Sequence, residues 1–248
     1  MKSILQAMGI YKQYEGNAVL KNISLSIQSD EFVAVMGRSG CGKSTLLYTL
    51  SGMDKMDAGS VFLEEKEISK FSEEEMSQLR LKKMGFIFQN SSLLKNLTIR
   101  DNIIFPAFQL GKLPRKEINH QAELLMNRTG IMEVADHDIK KVSGGQMQRA
   151  AICRALMNTP KIIFGDEPTG ALNSTATKEV MDIFSELNDE GTAIMIVTHD
   201  AKVAARATRV IYLEDGEIKS ELRLGKYSYE KSQQREKIMM EWLEYMRF

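Results

Sequence analysis

The sequence of 248 residues predicts an α/β fold: a parallel β-sheet wrapped by helices, with short strands at the N-terminus and a helical insertion. Three observations predict this fold. After residue 160, short apolar strands alternate with helical segments, which is typical of parallel strands wrapped by helices. Residues 98–158 have a helical pattern throughout. The first 36 residues have the pattern of strands.

The N-terminal part is predicted to consist of short strands. Residues 19–27 alternate between apolar and polar side chains, as a half-buried strand does. Residues 31–36 form a nearly continuous apolar run, which is typical of a buried strand. A glycine-rich loop follows, and then a helix over about residues 44–51.

A second group of elements is predicted before residue 90. Residues 59–63 and 66–68 have the pattern of a small hairpin. Ser72 and Glu75 form a capping box, which opens a helix that runs to about Lys82. Residues 85–88 are predicted to form another short strand.

The segment from about residue 98 to residue 158 is predicted to be helical. Thr98 is a suitable capping residue for its first helix. We expect Pro106 to interrupt that helix, because proline lacks an N–H group and clashes with the preceding turn. Residues 117–129 are predicted to form another helix.

The last third of the chain returns to alternating elements. Strands are predicted at residues 162–164, 193–197 and 210–213, with a helix at residues 177–188 and a short helix after Asp200. From Gly225 onward the sequence predicts a charged helical tail.

The composition limits the classes of function. Thirty-three basic residues balance thirty-three acidic ones, so no overall positive field attracts a nucleic acid, and we expect no nucleic-acid partner. The N-terminus lacks the pattern of a signal peptide, and no segment reaches the roughly 18 apolar residues of a spanning helix. The two cysteines indicate no disulfide framework. We therefore expect a soluble, cytosolic chain that acts on a membrane only through a partner.

The segment GRSGCGKST, residues 37–45, matches the phosphate-binding pattern G-x-x-x-x-G-K-[ST] between a buried strand and a helix. Its glycines let backbone N–H groups approach phosphates, Lys43 reaches the β and γ phosphates, and Ser44 is a ligand for Mg²⁺. The alternative is a glycine turn with an incidental lysine. The predicted nucleotide-binding residues of this loop are Gly37, Ser39, Gly40, Cys41, Gly42, Lys43, Ser44 and Thr45.

Two acidic residues end a second apolar strand in the segment KIIFGDEPTG. Asp166 is placed to hold Mg²⁺ through water, and Glu167 is placed to polarise an attacking water molecule. Such a pair is otherwise often a helix cap, and the phosphate-binding loop earlier in the chain favours the catalytic interpretation.

Three further polar residues are candidates for the same site. Gln89 ends the strand in GFIFQ and is placed to sense Mg²⁺ and an adjoining surface. His199 ends another apolar strand, and side chains at the carboxyl ends of parallel strands face the ligand crevice of an open sheet. Tyr14 is a candidate to stack on adenine, and Tyr11 is the competing candidate.

A second anion cradle is predicted in VSGGQMQRA. Ser143, Gly144, Gly145 and Gln146 open a helix, where free N–H groups and the helix dipole attract negative charge. The alternative is a serine-capped helix without a ligand. One chain therefore carries two phosphate cradles and the supporting residues for only one nucleotide.

These motifs, in this order, resemble the ATP-binding subunit of ABC transporters over about residues 3–220. The resemblance implies an α/β ATPase domain at residues 1–224, with a P-loop NTPase core built on a mixed sheet and an N-terminal antiparallel β subdomain. It also implies an inserted helical subdomain at about residues 90–158 and a tail at residues 225–248. It implies ATP and Mg²⁺ as cofactors, with Ser44, Gln89 and Asp166 around the metal ion and Lys43, Glu167 and His199 in catalysis.

The resemblance also explains the two cradles. In such proteins two chains stack head to tail, and the SGGQ segment of one chain completes the nucleotide site on the phosphate-binding loop of the other. A homodimer around two ATP molecules and an integral membrane permease are the implied partners, with the chain held peripherally at the inner face of the cell membrane. The SGGQ segment argues against a P-loop GTPase or kinase. A DNA-repair ATPase of the ABC family would carry a long coiled-coil insertion, which this sequence does not show.

Shorter segments indicate the subgroup. LTIRDNI and EPTGALN resemble the lipoprotein-release and macrolide-export group, and EPTGALNS, LEDGEI and LGKY are most similar to the subgroup that resists bacitracin and other antimicrobial peptides. The alternative is an ATPase of lipoprotein-release or cell-division type, which does mechanical work on a partner. Asn173 stands where the family usually has aspartate.

Two other expectations concern single segments. Leu93, Leu94 and Leu97 follow Gln89 and are predicted to dock the permease, with packing inside the helical subdomain as the alternative. Cys41 lies inside the phosphate-binding loop, either as an oxidisable switch or as one of the small residues that this position tolerates.

Overall fold

The structure is a computed structural model that describes residues 3–247. Its N-terminal sheet has four antiparallel strands in the order β2-β1-β4-β5. These are β1 (Ser3–Tyr14), β2 (Asn17–Gln28), β4 (Ala58–Leu63) and β5 (Lys66–Glu67). The expectation of short strands was wrong for residues 3–28, because β1 and β2 have 12 residues each. Several register shifts along their pairing absorb the irregular pattern that makes them look short in sequence.

The second sheet has six strands in the order β10-β9-β3-β8-β7-β6. Its strands are β3 (Phe32–Met36), β6 (Met84–Phe88), β7 (Ile162–Asp166), β8 (Ala193–Val197), β9 (Arg209–Glu214) and β10 (Glu217–Arg223). All neighbours are parallel except β9 and β10. The predicted α/β fold with a mixed sheet is confirmed. The sequence reading did not include β10, a half-exposed strand rich in charged residues.

Helices cover both faces of this second sheet. On one face, α1 (Lys43–Leu50) and α2 (Glu73–Lys83) share a core with the N-terminal sheet. On the other face, α6 (Ser174–Asp189), α7 (Ala201–Ala204) and α8 (Ser232–Tyr245) pack around a second core.

A third core belongs to the helices between β6 and β7. These helices are α3 (Ile99–Leu110), α4 (Arg115–Arg128) and α5 (Gly144–Leu156), together with short 3₁₀ turns at Met132–Val134 and Ile139–Lys141. The expected interruption at Pro106 was wrong, because α3 runs through it. Burial of Ile103, Ile104 and Ala107 on either side of the proline stabilises the helix and outweighs the lost hydrogen bond.

The tail helix α8 packs directly against the body of the protein. Met239 and Leu243 are buried in the second core. The Arg235 guanidinium, also buried, donates hydrogen bonds to five main-chain carbonyl oxygens, those of Ala205, Ala207, Leu224, Gly225 and Lys226. Burial lowers the pKa of Arg235. At the far end of the tail, Arg38 Nη2 of the phosphate-binding loop donates to the carbonyl oxygen of Arg247 at 2.6 Å.

Within residues 3–247, no helix is both long enough and apolar enough to cross a membrane.

Candidate functional site

The loop between β3 and α1, which we call the phosphate loop (residues 37–45), has a backbone that requires glycine. Gly37, Gly40 and Gly42 all have positive φ angles, of 151°, 79° and 102°. A Cβ atom at Gly37 would lie 2.0 Å from the carbonyl oxygen of Leu213. Helix α1 begins at Lys43 without a side-chain cap, so the N–H groups of its first turn remain available to an anion.

Lys43 folds back over this loop. Its Nζ atom donates hydrogen bonds to the carbonyl oxygens of Gly37 at 2.8 Å and Arg38 at 2.9 Å. A cation in this position faces the same anion as the N–H groups of the loop. Ser39 at the tip of the loop is exposed, whereas Thr45 in the first turn of α1 is half-buried.

Ser44 and Asp166 meet beside the phosphate loop. Ser44 Oγ donates to Asp166 Oδ1 at 2.8 Å, and the Tyr48 hydroxyl donates to Asp166 Oδ2 at 2.6 Å. Burial, reinforced by the Asp166 carboxylate, raises the pKa of Tyr48 to about 12, so the phenol remains a proton donor. A hydroxyl and a carboxylate oxygen at this separation fit Mg²⁺, which takes few protein ligands and completes its octahedron with phosphate and water oxygens.

Glu167 is held in a fixed position beyond the end of β7. Its φ angle is 48°, a strained conformation for a residue with a side chain. Its N–H group donates to the carbonyl oxygen of Val197 at 3.0 Å, and its Oε1 atom lies 2.8 Å from Nδ1 of His199. The Glu167 side chain is 19% exposed and that of His199 is 67% exposed. A carboxylate held at one oxygen in this way can accept a proton from water at the other.

The register of the sheet explains why these residues meet. Phe88, Asp166 and Val197 lie side by side at the carboxyl ends of β6, β7 and β8. Gln89, Glu167 and His199 follow these three strand ends, and the phosphate loop follows the neighbouring strand β3. Gln89 is exposed and contacts the backbone at Gly170, where an added Cβ would lie 3.0 Å from Gln89 Nε2.

Gln148, a second glutamine on α5, was not predicted from the sequence. This side chain is buried, and its Nε2 atom donates to the carbonyl oxygens of Phe88 at 3.0 Å and Pro168 at 2.7 Å. Gln148 therefore links α5 to Phe88, the residue before Gln89, and to Pro168, the residue after Glu167. No local pattern distinguishes it from a solvent-facing glutamine, because both of its partners are distant in sequence.

The SGGQ segment (residues 143–146) lies in a different part of the chain's surface. Ser143 and Gln146 cap each other: Gln146 N–H donates to Ser143 Oγ, and Ser143 N–H donates to Gln146 Oε1. Ser143, Gly144 and Gly145 line a cavity of about 320 Å³, together with Arg149 and residues from 171–179. No residue of the phosphate loop lines that cavity.

Two further predicted positions have partners within the chain. Asn173 caps α6, because its Oδ1 atom accepts from the Ala176 N–H at 2.9 Å. Tyr14, 44% exposed at the end of β1, donates a hydrogen bond from its hydroxyl to Asp54. Tyr14 and Asn173 thus have defined positions before any ligand binds.

The leucines after Gln89 do not act as one group. Leu93 is buried in the core of α3, α4 and α5, so its prediction as a docking residue was wrong. Leu94 is 46% exposed, and Leu97 is half-buried. Leu93 fills the space left between the helices, which the sequence pattern of three near-adjacent leucines does not reveal.

Comparison with known proteins identifies the class to which this fold and site belong. Residues 20–170 match the family model described as ABC transporter. The chain belongs to the ABC transporter family and is an ATP-binding, ATP-hydrolysing subunit of that family, an ATPase.

Individual relatives cover nearly the whole chain. The lipoprotein-releasing system ATP-binding protein LolD of Aquifex aeolicus is 44% identical over 222 residues, which are 90% of this chain and 99% of that protein. The bacitracin export ATP-binding protein BceA of Halalkalibacterium halodurans is 41% identical over 228 residues, 90% of each chain. The dimeric structure of the ATP-binding cassette MJ0796, in a post-hydrolysis state bound to ADP and Pi, superimposes with a TM-score of 0.83 at 35% identity, covering 90% of this chain and all of that one.

Proposed function

We propose that two copies of this chain pair head to tail, so that the SGGQ segment of each copy closes the phosphate loop of the other over one ATP. The observation that carries this proposal is the separation of the two cradles. The phosphate loop has its cation and carboxylates beside it, whereas the charged residues that line the cavity at residues 143–145, Arg149 and Glu179, are paired with each other. Dimeric structures of a cassette with 35% to 36% identity support it.

Each side chain then has a separate task in hydrolysis. When ATP binds, the Lys43 ammonium group gives up its hydrogen bonds to the carbonyl oxygens of residues 37 and 38 and donates to phosphate oxygens instead. Glu167 orients a water molecule and accepts its proton, and His199 fixes Glu167 through Oε1. Tyr48 and Ser44 orient Asp166. Mg²⁺, when bound by Ser44, Asp166 and Gln89, supplies charge neutralisation of the phosphates.

The ATPase would drive an integral membrane permease, to which it binds peripherally at the cytoplasmic face of the membrane. A groove of about 330 Å³ between α2, β6, α3 and α5 fits a short helix of that partner. Met53, Phe86, Phe88 and Pro106 give the groove an apolar lining. Gln89 follows Phe88 directly, so a segment in the groove lies one residue from the proposed metal site.

Arg154 joins this groove to the loop after Gln89. Its guanidinium donates to the carbonyl oxygens of Ser92 at 2.7 Å and Ser91 at 2.9 Å, and burial lowers its pKa. A movement of the loop at residues 91 and 92 would therefore move Arg154, which lines the groove. Leu94, exposed in the same loop, extends the apolar surface that we assign to the partner.

We infer that the complex exports, or confers resistance to, an antimicrobial peptide of bacitracin type. The segments EPTGALNS, LEDGEI and LGKY support this inference, as does 41% identity with a bacitracin export protein over 90% of both chains. The second candidate is the mechanical release of a lipoprotein or another partner, favoured by 44% identity with a lipoprotein-releasing ATPase over 99% of that protein.

The test is ATPase stimulation in a reconstituted complex. The chain is purified together with a candidate permease and placed in lipid vesicles, and bacitracin or a purified lipoprotein is added. Stimulation by bacitracin alone supports the peptide role, and stimulation by lipoprotein alone supports the second candidate. If neither ligand changes the rate, both candidates are contradicted while the ATPase assignment stays intact.

The docking groove is tested in the same complex with two matched changes. Met53→Glu places a charge in the groove at a side chain that is 42% exposed, and we expect it to abolish stimulation by the permease. Leu124→Glu places the same charge at a 58% exposed position on α4, outside the groove, and is the control. Equal stimulation of both variants would show that the partner binds elsewhere.

A further inference from the structure

Lys12 is a buried lysine in β1 that the proposed reaction does not use. Its side chain is 9% exposed, and its ammonium group donates to Asp54 Oδ1 at 2.8 Å and to the carbonyl oxygen of Lys55 at 2.6 Å. A buried charge is costly unless it is paired, and an apolar side chain of similar volume would stabilise the fold about as well. The charge at position 12 therefore has a use other than stability.

The ammonium group also contacts the ring of Tyr14. Lys12 Nζ lies 4.7 Å from the centre of that ring, a cation–π distance. The Tyr14 hydroxyl donates to Oδ2 of Asp54, the same carboxylate that Lys12 binds through Oδ1. The ring is thus held at its hydroxyl by Asp54 and on one side by Lys12, while 44% of the residue stays exposed.

The electrostatics of the three groups agree with this arrangement. Burial opposes the charge on Lys12, but Asp54 outweighs it and raises the lysine pKa. The hydrogen bond to Asp54 raises the pKa of Tyr14. Burial acts to raise the pKa of Asp54, but Lys12 and Tyr14 outweigh it and lower that pKa. Lys12 is therefore a cation, Asp54 an anion and Tyr14 a neutral hydrogen-bond donor near neutral pH.

Asp54 ties this group to the helix that carries the phosphate site. The N–H groups of Met53 and Asp54 donate to the carbonyl oxygen of Tyr48, near the end of α1, at 2.8 Å and 3.1 Å. Helix α1 begins at Lys43, so the Tyr14 ring is fixed relative to the phosphate end of the same helix. A nucleotide can bind both groups only if the distance from its base to its phosphates equals the distance from the ring to the phosphate loop.

We propose that Lys12 and Asp54 are positioning residues for the nucleobase: together they fix the Tyr14 ring so that its free face meets the base of a nucleotide whose phosphates lie in the phosphate loop. This inference rests on the proposed stacking role of Tyr14. The base then stacks on the side of the ring opposite to Lys12. Lys12 and Asp54 act through Tyr14 and contact neither the phosphates nor the attacking water.

The experiment compares the binding of ATP with that of inorganic triphosphate, which lacks the base. Dissociation constants are measured by calorimetry on the full chain with Mg²⁺. Loss of base stacking weakens binding by roughly 5- to 150-fold, so Tyr14→Ala should weaken ATP by an amount in that range and leave triphosphate unchanged. For Lys12→Met and Asp54→Asn we expect about 3- to 10-fold weaker ATP binding, because a loosely held ring keeps part of its stacking.

Three control variants separate positioning from a general effect on the fold. Lys55→Met makes the same substitution at an exposed neighbour and should leave both dissociation constants unchanged. Lys12→Arg restores the cation and should recover most of the ATP affinity. Tyr14→Phe keeps the ring but removes its bond to Asp54, and should weaken ATP about 2-fold, less than Lys12→Met does. Thermal unfolding of each variant identifies any that fails to fold.

Several results would overturn the inference. Equal weakening of ATP and triphosphate in Lys12→Met would show a purely structural role. If Tyr14→Ala weakens ATP selectively but Lys12→Met, Asp54→Asn and Tyr14→Phe do not, the positioning role fails and the stacking role stands. If Tyr14→Ala has no selective effect, both fail. None of these results affects the dimer or permease proposals, because those rest on turnover and stimulation at saturating ATP.

Discussion

The two phosphate cradles of this chain differ in what surrounds them. The phosphate loop has Lys43 folded over it and lies beside Asp166, Glu167 and His199. The SGGQ segment has its own cap, formed by Ser143 and Gln146, and an adjacent cavity in whose wall Arg149 is paired with Glu179. One cradle therefore has the groups for chemistry, and the other has hydrogen-bond donors beside an ion pair.

This difference shows how one chain can bind ATP and yet need a second chain for turnover. Donors that are already arranged at a helix start need no rearrangement to bind a γ-phosphate. If these donors bind the γ-phosphate of the partner's ATP, the dimer is stable only while that phosphate is present and dissociates after its release. The predictions below test the contrast between the two cradles, beginning with the largest expected effect.

Removing the proposed base should have the largest effect. Glu167→Gln keeps the shape of the side chain but cannot accept a proton from water, so turnover should fall by roughly 10²- to 10⁴-fold while ATP affinity is retained. ATP should then hold the two chains together as a stable dimer, measurable by size-exclusion chromatography. Glu244→Gln, at an exposed position on α8, is the matched control. Near-normal hydrolysis by Glu167→Gln would refute the assignment.

Complementation tests whether the two cradles act in the same site. Ser143→Arg should abolish turnover while leaving ATP binding to the isolated chain, and Lys43→Ala should impair both. A mixed dimer has one site with both defects and one intact site, so an equal mixture should regain about a quarter of the wild-type activity if sites fire independently. Complete inactivity of the mixture would mean that each chain uses its own cradle or that both sites must fire together.

A smaller effect is expected at the loop beside the SGGQ segment. Asn173→Asp adds a negative charge that still caps α6 and forms stronger hydrogen bonds to donors across the dimer, because charge-assisted bonds are about twice as strong as neutral ones. We expect a measurable change in basal rate or Hill coefficient, read from ATPase curves. Since the cap to Ala176 is already made within the chain, identical kinetics would show that only the turn matters.

The smallest effect is expected inside the phosphate loop itself. Cys41 is buried, and burial raises its pKa, which lowers the fraction of reactive thiolate near neutral pH. Cys41→Ser should therefore match the parent in residual ATPase activity after peroxide treatment. A parent protein that loses activity while Cys41→Ser keeps it would establish a redox switch instead.

Sequence patterns predicted most of the site because its parts follow local rules. The phosphate loop is a continuous motif, and Gln89, Asp166, Glu167 and His199 could be grouped because they end neighbouring parallel strands. Gln148, Tyr48 and Arg154 were missed because their partners lie 60, 118 and 62 residues away. No local period encodes such contacts.

The fold shows the same division. Alternating strands and helices predicted the second sheet, but the exposed edge strand β10 has too little apolar pattern to be recognised. The helix through Pro106 depends on the packing of α3 against α5, which local propensity does not contain. Leu93 likewise belongs to a core whose other members come mostly from α3, α4 and α5 and from the turn around Val134.

The contact between Arg38 and the carbonyl oxygen of Arg247 has a practical consequence for handling the protein. Any purification tag or fluorescent reporter attached after residue 247 would start beside the loop that receives the nucleotide. Arg235 holds the base of the same helix to five carbonyl oxygens, so such a fusion cannot easily swing away. Labels and affinity tags are better placed at exposed side chains on α4, because no residue of that helix belongs to the phosphate loop or lines the cavity at the SGGQ segment.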